Sequence, residues 1–201
     1  MGIRLAQSFG IARNYFTLEE CDRIVALGER LEKMDAKVRY DPEDNLRKST
    51  VAWIPQDEEA RWIYNKMTTC VMAANRQFWN WRVTKFETFQ FTIYSESQHY
   101  YWHTDQYEQP YDETSRWPGL TRKLSCVLQL SEPEDYEGGD FLLEDLQRPP
   151  DQVSKRIRRM ANARQRGSVI CFPAALFHRV TPVTRGLRRS LVGWYLGPPF
   201  V

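Results

Sequence analysis

His103, Thr104 and Asp105 stand together in the chain, His178 follows in a distant segment, and Arg188 comes ten residues after it. Two of the chain's three histidines belong to this set. Two imidazoles and one carboxylate form the ligand set of a mononuclear non-haem iron(II) site with open coordination positions. Residues two apart on a strand project to one face, so His103 and Asp105 can grip one ion from a single strand end. His178 offers the third ligand from a short strand that leaves the Pro173-Ala174-Ala175 turn. Arg188 carries a planar fork suited to a second carboxylate, such as that of a keto-acid cosubstrate. Ser190, on the same strand face as Arg188, Val192 and Trp194, adds a hydroxyl. The HxD pair alone arises by chance, and an isolated Arg188 would read as one more exposed charge beside Arg185 and Arg189. The ordered set carries the signal, and it points to an oxygen-activating iron site.

The flanking elements must position these groups. Thr17-Leu18-Glu19-Glu20 has capping-box spacing, and Leu18, Cys21, Ile24, Leu27, Leu31 and Met34 recur at helical intervals. A second helix is predicted from near Asp57, with Trp62, Ile63, Met67, Val71, Ala74 and Phe78 as its buried stripe. From Thr84 the period changes to two, with Phe89, Phe91 and Ile93 alternating with Gln90, Thr92 and Tyr94. Further strands are expected at 124–130, 140–143, 168–172, 177–180 and 187–196, with a hairpin turn between Pro182 and Gly186. Helices followed by many short strands imply an α+β, mainly β fold: a distorted jelly roll with supporting N-terminal helices. The chain reads as one domain over 1–201, with helical support in 1–83 and the jelly-roll core in 84–201. The polar, aromatic stretch 106–121 directly follows the first ligand pair and reads as a substrate lid or an ordinary surface crossover.

Charge is nearly balanced, with 28 Lys+Arg against 26 Asp+Glu, so no global case for nucleic-acid affinity exists. The distribution is uneven: residues 105–145 are rich in acids, and a basic run (Lys155, Arg156, Arg158, Arg159, Arg164, Arg166) lies within 147–166. Such a run can touch a phosphate backbone, but a solvated surface is the commoner outcome. Cys21, Cys70, Cys126 and Cys171 show no CxxC spacing and read as buried free thiols. With no leader-like or membrane-spanning segment in the sequence, the expectation is a reducing cytoplasm and no membrane partner.

Over residues 84–200 the chain resembles the Fe(II)/2-oxoglutarate-dependent dioxygenases of prolyl 4-hydroxylase type, and is similar to short PKHD-type and related phage or bacterial members. Tyr94-x-x-Ser97-x-x-Tyr100-x-x-His103-x-Asp105 is similar to the family's YxxGxxYxxHxD, with Ser97 in place of glycine. Leu124-Ser125, Leu130-Ser131 and Tyr136-Glu137-Gly138-Gly139-Asp140 follow the family's middle segment. The block from His178 through Pro182 and Gly186 to Arg188, followed by Trp194, is the strongest match. The resemblance implies a double-stranded β-helix, with iron(II) held by His103, Asp105 and His178 and 2-oxoglutarate anchored by Arg188, Ser190 and Tyr94. Gln129 stands where some relatives contact the cosubstrate through a tyrosine. Tyr100, Arg122 and Trp194 border the expected substrate pocket, although Tyr100 and Trp194 also suit simple barrel packing. Dioxygen is the co-reactant, and L-ascorbate is left open as an auxiliary reductant.

The implied activity is hydroxylation of a C–H bond with release of succinate and carbon dioxide. The lead substrate is a peptidyl, foremost prolyl, side chain. A free amino acid or other small metabolite is the alternative, since shared fold does not set substrate. Two further readings are a nucleic-acid-acting protein using the basic run and an inactive jelly-roll interaction domain, the latter opposed by the complete ligand set. Nothing in the sequence sets the oligomeric state.

Overall fold

The computed structural model describes residues 7–36, 46–146 and 156–200. After strand β1 (Gly10–Ala12), helix α1 (Leu18–Arg30) starts on the expected capping box: Thr17 Oγ1 accepts from the Glu20 amide, and the Glu20 carboxylate accepts from the Thr17 amide. The helix ends earlier than its apolar spacing suggested. Leu31 is extended, and Met34 lies exposed in the two-residue strand β2 (Met34–Asp35). Strands β3 (Arg47–Lys48) and β4 (Thr50–Trp53) precede α2 (Arg61–Phe78). Asp57 caps the turn before α2 by accepting from the Ala60 amide at 3.0 Å. Residues 1–83 therefore supply strands as well as helices. Runs of two to four residues are too short to show a hydrophobic period, which is why sequence reading missed them.

The remaining strands are β5 (Lys85–Phe86), β6 (Gln90–Tyr94), β7 (His99–His103), β8 (Thr121–Gln129), β9 (Tyr136–Gly138), β10 (Phe141–Glu144), β11 (Ile157–Arg159), β12 (Val169–Pro173), β13 (His178–Val180), β14 (Val183–Gly186) and β15 (Arg188–Gly197). Among the described residues the larger sheet runs β1-β12-β8-β15-β6-β4-β2, with β5 also on β15. The smaller sheet runs β11-β10-β13-β7-β3, and β9 pairs with β14. All the strand pairings are antiparallel. The expected hairpin turn between Pro182 and Gly186 instead holds the short strand β14. Gly186 (φ +78°) makes the kink into β15, where a Cβ would sit 2.0 Å from the Asp135 carbonyl oxygen.

Period-two alternation divides each central strand between two cores. Leu124, Cys126 and Leu128 of β8, Val169 and Cys171 of β12, and Leu191 and Tyr195 of β15 pack against Ile24, Ile63, Met67 and Val71 of the helices. Each such aliphatic side chain contributes about 1.5–3 kcal/mol by leaving water. The opposite faces put Val127, Ile170 and Phe172 between the sheets, against Phe141, Leu143 and Val180. The polar alternates of β6 do not face solvent: Gln90, Thr92 and Tyr94 are all buried and look into the space between the sheets. That buried polar face is where the chemistry-bearing residues gather.

Candidate metal and cosubstrate site

Register brings the two histidines together. β13 pairs with β7 so that His178 lies directly opposite His103, and their rings are 4.1 Å apart. A register shift between His178 and Val180 marks a bulge beside the site, a common device for re-aiming side chains. Asp105 lies past the end of β7 rather than on it. Its amide and that of Gln106 both donate to the Ala174 carbonyl, at 2.9 and 3.0 Å, so the turn after β12 clamps the loop. Asp105 Oδ1 is 3.7 Å from His103 Nε2, and Oδ2 is 3.4 Å from His178 Nε2. One ligand atom from each of the three lies within 4.8 Å of the others. Three donors this close would hold one divalent ion.

Each ligand is oriented by a second contact. His103 Nδ1 donates to the Tyr101 carbonyl (2.7 Å) and His178 Nδ1 to the Leu176 carbonyl (2.9 Å), which leaves both Nε2 atoms free to bind metal. The Ser125 hydroxyl donates to Asp105 Oδ2 at 2.6 Å. Burial and the neighbouring His178 push His103 down to about 3, so it is the neutral ligand a metal requires. Burial raises the Asp105 carboxyl, but His178, by charge and hydrogen bond, together with His103 outweighs it and holds the group well below the usual carboxylate range. Tyr100 stacks on His103, with centroids 3.4 Å apart and planes 10° apart.

A cavity of about 410 Å³ opens on these ligands and on Arg188, Ser190, Tyr94 and Trp194. Arg188 is 1% exposed, and its Nε and Nη2 have no hydrogen-bond partner among the described residues. Its one polar contact among them is a long 3.5 Å approach of Nη1 to Ser190 Oγ. Tyr94 is its direct partner in the β6–β15 register, with the guanidinium 5.5 Å from the ring centre. Gly139 (φ +57°) leaves room for the Arg188 stem, since a Cβ there would come within 3.0 Å of Cδ. A buried guanidinium with two orphaned donors fits the carboxylate of a bound ligand. Two imidazole Nε2 atoms beside an ionised carboxylate fit a divalent iron. Both implied groups therefore suit the residues present.

The other expected residues divide. Gln129 lies opposite Ser190 on the inner face of β8, yet it opens on a separate cavity of about 300 Å³ lined by Tyr136, Gly139 and Arg164. Arg122 braces the site from behind instead of lining it. It makes a two-point ion pair with Glu87 (2.6 and 2.7 Å), donates to the Asp105 carbonyl and lies over the Trp194 ring at 4.2 Å. Glu87 also accepts from the Tyr111 hydroxyl at 2.7 Å, tying down the 106–120 loop. Ser97 keeps the left-handed turn (φ 67°) that glycine would take, with its amide donating to the Val183 carbonyl. Sequence reading gave no site role to Ser125, Glu87 or Arg47. Ser125 enters only within the Leu124-Ser125 match to the family's middle segment, and it also stands as a polar residue at an inward position of an apolar strand. Glu87 and Arg47 left no trace, because their partners are remote in sequence.

The described part of the basic run is occupied by the acids before it. Arg158 pairs with Asp145, Arg159 and Arg164 with Asp140, and Arg156 with Glu144. Arg166 reaches Asp22 and Glu132. Lys155 lies outside the described residues. Such internal neutralisation leaves little charge for a phosphate backbone. No helix among the described residues is long and apolar enough to cross a membrane, and the four cysteines are free and buried.

Comparison with known proteins follows the same lines. A PKHD-type hydroxylase of Parvibaculum lavamentivorans is 39% identical over 71 residues, covering 35% of this chain and 28% of that protein. One from a Janthinobacterium strain is 34% identical over 108 residues, covering 52% of this chain and 41% of its own length. The matches thus span less than half of these relatives. A crystal structure of a Pseudomonas putida prolyl-4-hydroxylase superposes with a TM-score of 0.67 at 21% identity, covering 94% of this chain and 92% of that one. A Trichoplax adhaerens prolyl hydroxylase bound to a hypoxia inducible factor peptide fragment gives 0.68 at 16% identity, covering 94% and 83%. These likenesses show the double-stranded β-helix fold. The family model described as the 2OG-Fe(II) oxygenase superfamily matches residues 89–196, from the strand that carries Tyr94 through the one that carries Arg188, and the chain belongs to that superfamily.

Proposed function

We propose that the protein is an iron(II)- and 2-oxoglutarate-dependent hydroxylase that acts on a C–H bond of a prolyl side chain in a peptide. The observation that carries the oxygenase reading is Arg188: a fully buried guanidinium with two unpartnered N–H donors, opening on the same cavity as the His103, Asp105 and His178 triad. His103, Asp105 and His178 would hold iron(II), and Arg188 with Ser190 and Tyr94 would hold the far carboxylate of 2-oxoglutarate. With both bound, dioxygen would be spent on oxidative decarboxylation to succinate and carbon dioxide, and one oxygen atom would pass to the substrate. The chain's own residues do the placing. The backbone carbonyls of Tyr101 and Leu176 fix both imidazole tautomers. Ser125 aims the Asp105 carboxylate.

The prolyl preference draws support from the solved neighbours, which are described as prolyl hydroxylases, one of them bound to a peptide. The test is anaerobic loading with iron(II) and 2-oxoglutarate, then oxygen with a library of proline-containing peptides. A mass gain of one oxygen with matching succinate supports the reading; succinate and hydroxylation only with non-peptide metabolites would replace the peptide by a small molecule.

A further inference from the structure

Arg47 is a second guanidinium on the cavity that holds the triad. It is buried, at 8% exposure, and is held rigidly: Nε donates to the Ser49 hydroxyl (2.9 Å), Nη2 donates to Gln90 Oε1 (2.8 Å), and the group lies over the Tyr100 ring at 4.6 Å. Both polar partners are neutral, and no carboxylate among the described residues pairs with it. Nη1 makes no hydrogen bond to any described residue. Tyr100 in turn stacks on His103, so Arg47 stands two stacking steps from a metal ligand.

The charges on this cavity explain why that matters. Besides the histidines, its charged lining residues are Asp105, Arg188 and Arg47. Under the proposed function, Asp105 and both carboxylates of 2-oxoglutarate are taken up by the metal and by Arg188. Arg47 is then the one lining cation without an anion. A largely buried cation lining a site is costly unless a ligand answers it.

We propose that Arg47 receives a carboxylate of the substrate, so that the molecule hydroxylated carries a carboxylate close to the C–H bond attacked. Two sources place such a carboxylate on the hydroxylated residue itself, a free amino acid or the C-terminal residue of a peptide; an internal residue has its main-chain carboxyl tied up in an amide and supplies none of its own. The inference rests on the hydroxylase reading.

The test uses the full chain loaded anaerobically with iron(II) and 2-oxoglutarate, with binding read from the perturbation of the iron–cosubstrate absorption. The probes are L-proline and other L-amino acids, short peptides ending in proline, and the C-terminal amide of each. Charge-assisted hydrogen bonds to the acid but not the amide predict roughly ten- to a hundred-fold tighter binding of the acids. Arg47→Gln should erase that preference while the affinity for 2-oxoglutarate stays within about three-fold. Arg47→Lys, which keeps the charge, should retain part of it. Free amino acids outbinding the peptides would assign the first source, and the reverse the second. Acids and amides binding alike to the unmodified protein, or no acid perturbing the spectrum, would overturn the proposal without any variant having to fold. Failure of 2-oxoglutarate to give an iron-dependent spectrum at all would instead remove the hydroxylase reading and this inference with it.

Discussion

Replacing Arg188 with methionine should move stability and cosubstrate affinity in opposite directions. In the ligand-free protein, the Nε and Nη2 donors of Arg188 are buried without partners, and each such group costs about 1–3 kcal/mol. Methionine removes both donors and keeps an unbranched stem beside Tyr94 and Gly139, so the packing loss is about one methylene, roughly 0.8 kcal/mol. The net expectation is a ligand-free protein more stable by about 1–5 kcal/mol. For a chain of this size each kcal/mol shifts Tm by about 2–4 °C, so the rise should exceed about 2 °C in a thermal melt. The same change should weaken 2-oxoglutarate binding by about 10²–10⁴-fold, from the loss of two charge-assisted hydrogen bonds of about 1.5–3 kcal/mol each. Calorimetric titration of the iron-loaded protein reads that term separately. If Arg188 had an anionic partner within the protein, removing it would destabilise the fold by about 3–5 kcal/mol. A fall in Tm of that order, with cosubstrate affinity unchanged, would refute the reasoning.

Ser125→Ala removes the 2.6 Å hydrogen bond to Asp105 Oδ2 and should weaken iron(II) binding by about 10–100-fold, measured by competition with a chelator; unchanged affinity would show that the contact is incidental. Glu87→Gln leaves Arg122 buried without its ion-pair partner and should cost about 3–5 kcal/mol in urea unfolding. Adding Arg122→Met to it should recover much of that loss, and a purely additive double variant would argue against the pairing. His103 is held neutral by burial, down to about 3 against an ordinary value of 6.5. Its contribution to stability is therefore complete above about pH 6.5 and declines as the pH falls toward 3. Asp105, held low, acts in the same direction below its ordinary range. The ligand-free protein should accordingly lose up to about 1.4 kcal/mol per pH unit per proton on acidification. His103→Gln should flatten the profile between pH 6.5 and 4; an identical slope would show that His103 already titrates normally.

Much of the site was legible in the sequence because its groups sit at strand periodicities. Arg188, Ser190 and Trp194 alternate with Leu191 and Tyr195, and the structure keeps that division of faces. Chemistry restricted the rest: with three histidines in the chain, few triads were available. The limits were physical too. Nothing in β3, two residues long, announces that Arg47 reaches the cavity through its pairing with β7. The resemblance alone places Arg122 at the pocket border, whereas in the fold Glu87, 35 residues away, consumes its charge. The basic run read as a surface feature of its own because its acidic partners at 140–145 lie on an adjacent antiparallel strand and at its two ends.

The most direct test of the central claim is anaerobic titration of the purified chain with iron(II) and then 2-oxoglutarate, followed spectroscopically. The account predicts one iron per chain, a new absorption that requires both additions, and its loss in Asp105→Ala and Arg188→Met. Iron binding that survives Asp105→Ala, or a spectrum indifferent to 2-oxoglutarate, would contradict it.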